Sequence, residues 1–394
     1  MNYILFDNFR RNNLLPLTYT RPVSEIRIGI LTIREKWENY LGKKTSTLTE
    51  DYLRKKFPVV KEENNILINA SICPNEKLIK EIKALKSNEV LVAADEVIIA
   101  MHLESEELEK IEDGDTKGFK ELEFKSNFLK INNVWDIFTL NGQAIIDDYE
   151  LITKGRESCK PGNTCTLIGN GELFIEKGAK IWQSTINTTN GPVYIGKNAE
   201  IMEGSHIRGP FAMCEHSIVK MGAKIYGPTT LGPCVKVGGE LNNCVFFGYS
   251  NKAHDGFLGH SVIGEWCNLG AGTNNSNLKN NYKEIRLYNY PQQSFIPTDL
   301  QFCGMIMGDH SKCAINTMFN TGTVVGVNSS IFGSGFPRNF IPSFSWGGHA
   351  GFSKFDINQA IDIAKLVYER RNLKFDEIEQ DILRSVFDIT YNNS

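Results

Sequence analysis

From Ile195 onward, every sixth residue is aliphatic or Met: Ile195, Ile201, Ile207, Met213, Val219, Ile225, Leu231 and Val237. Four places after each stands a residue that is mostly small or β-branched: Ala199, Ser205, Phe211, Ser217, Ala223, Thr229, Val235 and Leu241. A helix, at about 3.6 residues per turn, cannot keep one side chain in six on one face, and a lone strand repeats every two residues. A triangular coil can. Each hexad then supplies one short strand and one tight corner, and three hexads close a turn. The sixth residue points inward and stacks on its equivalents in the neighbouring coils. Hexapeptide repetition of this kind predicts a parallel β-helix.

The repeat extends in both directions. Ile175 and Ile181 fit before the main run, with a register shift at Thr188-Thr189-Asn190-Gly191. The phase slips near Asn242-Asn243. Phe257, Ile263 and Leu269 then form one run, and Met307, Cys313, Phe319, Val325 and Ile331 another. Between roughly 274 and 300 no repeat is present, so the chain makes a long excursion there. Such loops on a regular scaffold are usually functional or interfacial.

The ends of the chain read differently. Tyr3–Phe6, Asn65–Asn69, Glu89–Ala93 and Glu96–Ala100 read as strands, and Ile30–Tyr40 and Lys77–Leu85 as helices. This mixture predicts an α/β layered domain. The charged stretch from Glu104 to Lys120 reads as a solvated helix or loop, and residues 133–154 as a link to the solenoid. After Asp356, helical spacing groups Ile357, Ala360, Ile361, Ala364 and Val367, then Phe375, Ile378, Ile382 and Val386. The expected organisation is an α/β domain over 1–150, a β-helix over 151–345 and a helical tail over 346–394.

Composition narrows the function classes. Lys plus Arg number 43 and Asp plus Glu 46, a net charge of −3 over 394 residues, which gives no broad basic surface for nucleic acid. No stretch approaches the roughly 18 apolar residues of a membrane span. The start, Met1 to Asp7, lacks the basic opening of a secretory leader. The nine cysteines contain no C-x-x-C pair and are odd in number, so they read as reduced thiols of a cytoplasmic protein, and a zinc site is not expected.

One segment carries a sharper signal. Within Asn251–Lys283 stand His254, Phe257, Leu258-Gly259, Ile263-Gly264, Asn268-Leu269-Gly270-Ala271-Gly272-Thr273, Asn277 and Lys283. Their order resembles the acetyltransferase half of the bifunctional bacterial N-acetylglucosamine-1-phosphate uridyltransferase/glucosamine-1-phosphate N-acetyltransferase family. The resemblance implies a left-handed β-helix with His254 as catalytic base. It implies Phe257 (in place of a Tyr), Asn268, Asn277 and Lys283 at the sugar phosphate, and Ala271 at acetyl-CoA. It also implies a homotrimer with acyl sites between solenoids. The chemistry suits these residue types. An amine attacking a thioester must shed a proton, which a neutral imidazole accepts near pH 7. A sugar phosphate needs fixed positive charge, for which Lys283 is the first candidate and Lys236 a weaker one without a motif match. Asn268 can orient a substrate or simply belong to an Asn ladder. His206, His216, His260, His310 and His349 read as structural.

A second resemblance lies near the start. Leu14-Leu15-Pro16-Leu17-Thr18-Tyr19-Thr20-Arg21-Pro22 is similar to the Pro-Leu-Thr and basic-Pro elements of sugar nucleotidyltransferases. The Gly-rich loop expected before it, which brings backbone N–H groups close to a triphosphate, is replaced by Phe6-Asp7-Asn8-Phe9-Arg10-Arg11-Asn12. The resemblance therefore puts Arg10, Arg11, Thr18 and Arg21 at the nucleotide or phosphate, with Mg²⁺ assisting. Asp136, Asp147 and Asp148 are metal candidates by chemistry only and read more readily as structural or surface acids.

Together the resemblances imply an enzyme that makes an activated amino sugar, joining acetyl transfer from acetyl-CoA to nucleotidyl transfer onto the sugar 1-phosphate. Two other classes stay open. One is a sugar-1-phosphate nucleotidyltransferase whose β-helix is a trimer scaffold. The other is a non-catalytic sugar-nucleotide-binding protein.

Overall fold

The computed structural model describes residues 1–104, 107, 118–169 and 171–392. The charged stretch expected to be solvated between 104 and 120 lies mostly outside the described residues. The chain forms two compact units. The first comprises 1–11, 21–26 and 31–132, and the second 12–20, 27–30 and 133–394.

The first unit is an α/β layer. Its strands are β1 (Asn2–Phe6), β2 (Ser46–Leu48), β3 (Asn64–Asn69), β4 (Glu89–Ala93), β5 (Ile98–Glu104) and β6 (Lys120–Phe124). They form one sheet in the order β2-β1-β3-β5-β4-β6. Only β5 runs against its neighbours. One face buries Ile4, Leu67, Val90, Met101 and Leu103. Helix α1 (Ile33–Leu41) begins at a capping box: the Thr32 hydroxyl accepts from the Glu35 N–H, and the Glu35 carboxylate accepts from the Thr32 N–H. It ends at Gly42 in the left-handed region, φ 67°. Trp37 is fully buried, and its indole N–H donates to the Ile72 carbonyl at 2.8 Å. Helix α2 (Glu76–Ala84) is capped by the Asn75 side chain on the Leu78 N–H. The strand and helix expectations for this region hold within a few residues.

The second unit is a parallel β-helix followed by two helices. Helices α3 (Asp136–Thr139) and α4 (Asn141–Thr153) lead into it, and α5 (Ile357–Glu369) and α6 (Glu377–Asn392) follow. The sixth-residue rule describes its interior. Ile195 pairs with Met213 and Met213 with Leu231; Ile201 pairs with Val219 and Val219 with Val237; Ile207 pairs with Ile225. Each partner is one full coil of three hexads away. All eight residues are at most 2% exposed and share one apolar core.

The slip near Asn242-Asn243 has a definite form. One strand, Glu240–Gly248, runs through what would be two strands and a corner, pairing with Lys224–Tyr226 at one end and Thr230–Leu231 at the other. That coil is therefore short. The strand Phe257–Glu265 follows it in register, which corrects one expectation: Leu258, paired with Leu241, points inward, and Phe257 is only half-buried. The shortened coil also places Lys252 opposite Val237 in the inward column. The excursion contains an antiparallel hairpin, Arg286–Asn289 with Ser294–Pro297, before the coil resumes at Met305.

Two early segments belong to this second unit. The Gly29 N–H donates to Asn141 Oδ1 at 2.8 Å, the Ile30 N–H to Asp148 Oδ2 at 2.7 Å, and the Thr230 hydroxyl to the Gly29 carbonyl at 2.9 Å. Gly29 sits at φ +75°, and a Cβ there would lie 2.5 Å from Asp148 Oδ2, so the position takes glycine. Further along, the Thr20 hydroxyl donates to Asp309 Oδ2 at 2.6 Å. All nine cysteines are free thiols, and Cys244, Cys267 and Cys313 lie in the apolar core. Among the described residues, no helix is long and apolar enough to cross a membrane.

Candidate functional site

In the first unit, a cleft of about 610 Å³ opens at the end of β1 and is lined by Asp7, Asn8, Arg10, Arg11, Glu50, Arg54 and Asp95, among others. Asp7 takes the place of the expected glycines. Its carboxylate accepts from the Thr49 hydroxyl at 2.6 Å and the Val23 N–H at 2.9 Å, with Arg11 Nε 3.2 Å away. Burial raises the Asp7 pKa, an effect opposed first by the Arg11 charge. Arg11 also donates to the Tyr52 hydroxyl at 3.1 Å and lies 3.5 Å from Glu50. Arg10 donates to Asn132 Oδ1 at 2.8 Å. Asn8 closes the loop by accepting from the Arg10 N–H and donating to Asn69. The site is thus a side-chain cradle with arginines, where a Gly-rich loop would offer backbone N–H groups.

Of the four nucleotide-site expectations, Arg10 and Arg11 line this cleft. Thr18 and Arg21 do not. Thr18 is fully buried and belongs to the second unit, and Arg21 is buried in the first, outside the lining. Pro16, Leu17 and Thr18 are all buried, so this element is not part of the cleft surface. The three metal candidates hold backbone or neighbouring side chains: Asp148 accepts from Ile30, Asp136 from the Asn133 N–H and Asp147 from Gln143.

In the second unit, His254 lies on a corner of the β-helix and is exposed. The corner is fixed from beneath. Lys252, 1% exposed, donates from Nζ to the His254 carbonyl at 2.7 Å and to the Gly238 carbonyl at 3.0 Å. Burial pushes its pKa down from 10.5 to about 8. The corner of the next coil stacks on this one: the Gly272 N–H donates to the Asp255 carbonyl at 3.0 Å, and Asn316 donates to the Ala271 carbonyl at 2.7 Å. His254 and Ala271 thus occupy stacked corners. Gly256 permits the stacking, because at φ +121° a Cβ would meet the Thr273 carbonyl oxygen at 2.1 Å.

Phe257 and Asn277 are brought together by a different glycine. A Cβ on Gly259 would lie 2.5 Å from the Asn277 amide nitrogen and 2.6 Å from the Phe257 ring. Asn277 Nδ2 is 2.9 Å from His260 Nδ1. The His260 ring stacks on Phe302 and meets the edge of Phe138, and burial drives its pKa down to about 4. It is therefore a neutral imidazole at pH 7. Sequence reading set His260 aside as structural. Its link to Asn277 depends on the left-handed backbone at His260, φ 47°, which no local motif announces. Asn268 stands in an outward column between Asn251 and Lys312. Lys283 is exposed on the excursion, where Asn281 holds its backbone N–H at 3.1 Å.

Comparison with known proteins follows this division. Residues 3–157 match the family model described as sugar nucleotidyl transferase. A curated relative, a bifunctional sugar-1-phosphate nucleotidylyltransferase/acetyltransferase from Sulfurisphaera tokodaii, is 24% identical over 215 residues, 54% of this chain and 47% of the relative. The match thus spans about half the length of that relative. Both findings agree with the bifunctional family that the sequence resembles and with a transferase class. Solved structures similar to part of the chain include the polySia-specific acetyltransferase NeuO (12% identity, 54% of this chain and 99% of that one, TM-score 0.26). Another is a UDP-N-acetylglucosamine acyltransferase of Francisella novicida (14% identity, 59% and 77%, TM-score 0.24). At these scores neither bears on the chemistry of this chain.

Proposed function

We propose that the protein makes an activated N-acetylated amino sugar, with acetyl transfer on the β-helix and nucleotidyl transfer in the first unit. The observation that carries the acetyl half is the His254 corner: an exposed imidazole, anchored through Lys252, stacked on the Ala271 corner. In this reading the amine of glucosamine 1-phosphate, or a close relative, attacks the acetyl-CoA carbonyl. His254 takes the amine proton, the C–S bond breaks and CoA leaves as the thiol. Phe257 and Asn277 hold the sugar with His260 beside them, Asn268 and Lys283 contribute polar and cationic contacts, and the stacked Ala271 corner gives the thioester room. Because these side chains face outward from one solenoid, a homotrimer that completes the site between solenoids fits the reading.

In the nucleotidyl half, an oxygen of the sugar 1-phosphate attacks the α-phosphorus of a nucleoside triphosphate, and pyrophosphate leaves. Arg10 and Arg54 would neutralise the triphosphate, while Arg11, tied to Asp7, shapes the loop. Mg²⁺ commonly binds through one or two carboxylates plus substrate phosphates. The cleft offers Asp95 and Glu50 for this, and among the described residues no group of three or more His, Cys, Asp or Glu forms a ready-made site. When bound, the ion would supply charge neutralisation at the phosphates. A cytoplasmic setting fits nine free thiols.

The test is free-thiol release from acetyl-CoA with glucosamine 1-phosphate, using the wild type beside His254→Ala, with pyrophosphate release followed in parallel across nucleotides. Thiol release by the wild type alone supports the acetyl assignment. Equal release by both proteins removes His254 from the mechanism.

A further inference from the structure

The outward column that also holds Asn268 carries a cluster of positive charge on one β-helix face. Lys236 stands in that column between Ile218 and Asn251. Asn251 Oδ1 accepts from Arg371 Nη2 at 3.2 Å, which brings the residues just beyond α5 onto the face. Lys220, Arg370 and Arg371 all lie close enough to Lys236 to depress its pKa, after burial as the larger cause. Lys220, Lys236 and Arg371 are half-buried and Arg370 is exposed. Among the described residues, none of the four forms an ion pair. The carboxylates that reach this corner, Glu215 and Glu265, act on Cys234 and Tyr249.

Cations at the end of a helix complement its dipole, and this accounts for Arg370 and Arg371 sitting there. It does not account for their gathering against two lysines. Like charges held at close range cost free energy, and half-buried ones are screened less by solvent than exposed ones. An anion with several oxygens offsets that cost and draws charge-assisted hydrogen bonds from both ammonium and guanidinium groups.

We propose that Lys220, Lys236, Arg370 and Arg371, with Asn251 orienting Arg371, form a binding site for a phosphoryl or diphosphoryl group. The carrier is a free diphosphate, a sugar phosphate or a phosphorylated cofactor. These share the chemistry the cluster recognises, and the site stands whichever activity the chain has.

Cys234 provides a local reporter, because Lys236 and Arg371 both act on its half-buried thiol. Its alkylation by iodoacetamide is followed by peptide mass spectrometry on the full chain, with inorganic pyrophosphate, glucosamine 1-phosphate and CoA as separate probes. Saturating pyrophosphate should slow alkylation at least fivefold. Protection should disappear in Lys236→Met/Arg371→Met and weaken in 0.5 M salt, on the order expected for screened charges. The other two probes identify the carrier: whichever protects at lower concentration is the better ligand. Arg54→Met in the first-unit cleft should leave protection intact, which separates this site from any pyrophosphate bound there. Lys220→Gln offers a milder change with the same expected direction. An alkylation rate indifferent to pyrophosphate, or protection that survives in the double variant, overturns the proposal.

Discussion

Lys252 Nζ donates to the carbonyl oxygen of His254 at 2.7 Å from inside a column of aliphatic side chains. A buried ammonium there weakens the fold, because the folded state holds the proton less tightly than the unfolded chain. The folded pKa is about 8 and the ordinary value 10.5. Between those values the unfolded chain binds more protons, so stability rises with pH through that window. The full difference amounts to roughly 3 kcal/mol. The stability of the wild type relative to Lys252→Met should therefore rise by most of that amount between pH 7 and pH 10, read from urea unfolding. A constant gap between the two proteins would place the ammonium in a solvated setting.

His254 and His260 should separate in kinetics. His254→Ala should lower kcat for acetyl transfer by about 10²-fold or more, in the range of lost general-base catalysis, with little change in Tm because the side chain is exposed. His260→Ala should mainly raise KM for the sugar phosphate through Asn277. With a pKa of about 4, His260 is neutral throughout the working range and should leave the pH profile near 7 in place. A kcat-only effect at His260 would exchange the two roles.

The Asp7–Arg11 pair should show strong coupling. Removing one partner leaves a buried group unpaired, a change that costs about 3–5 kcal/mol. Asp7→Ala and Arg11→Met should each destabilise the first unit substantially, and the double variant by less than their sum. The double-mutant cycle by chemical denaturation measures this directly. Additive losses would mean that the 3.2 Å approach carries little energy.

Thr20→Val tests the role of the Leu14–Pro22 stretch that carries the Pro-Leu-Thr element. The change keeps shape and deletes the hydroxyl that donates to Asp309 at 2.6 Å. The expected loss is about 1.5–3 kcal/mol, as for a hydrogen bond to a charged group. Nucleotidyl transfer should keep its KM for nucleotide. A raised KM without lost stability would restore a substrate role to this element.

The β-helix was legible because its interior repeats a single decision. Ile201, Val219 and Val237 are aliphatic for the same reason, and each confirms the others. Lys252 was not legible, since its inward position follows from a coil shortened at Asn243, and no local pattern states how many residues a slip removes. The first unit's strands and helices carried clear periodicity. The fate of Thr18 did not, because a motif read along the chain says nothing about which body its side chain enters. Arg10 and Arg11 drew notice because they stand where the resemblance expects a Gly-rich loop, and their partners, Asn132 and Asp7, emerge only in the fold.

The reach from Thr20 to Asp309 also sets a timetable. The two residues are 289 positions apart in the chain. At about 5–20 residues per second, synthesis leaves Thr20 waiting for its acceptor for roughly a quarter of a minute to a minute. The first unit's own sheet needs nothing beyond residue 124 and can form early. Residues 12–20 and 27–30 cannot settle until the far coils exist. During that interval Leu14, Leu17, Ile28 and Ile30, all buried in the finished fold, wait for their surroundings to form.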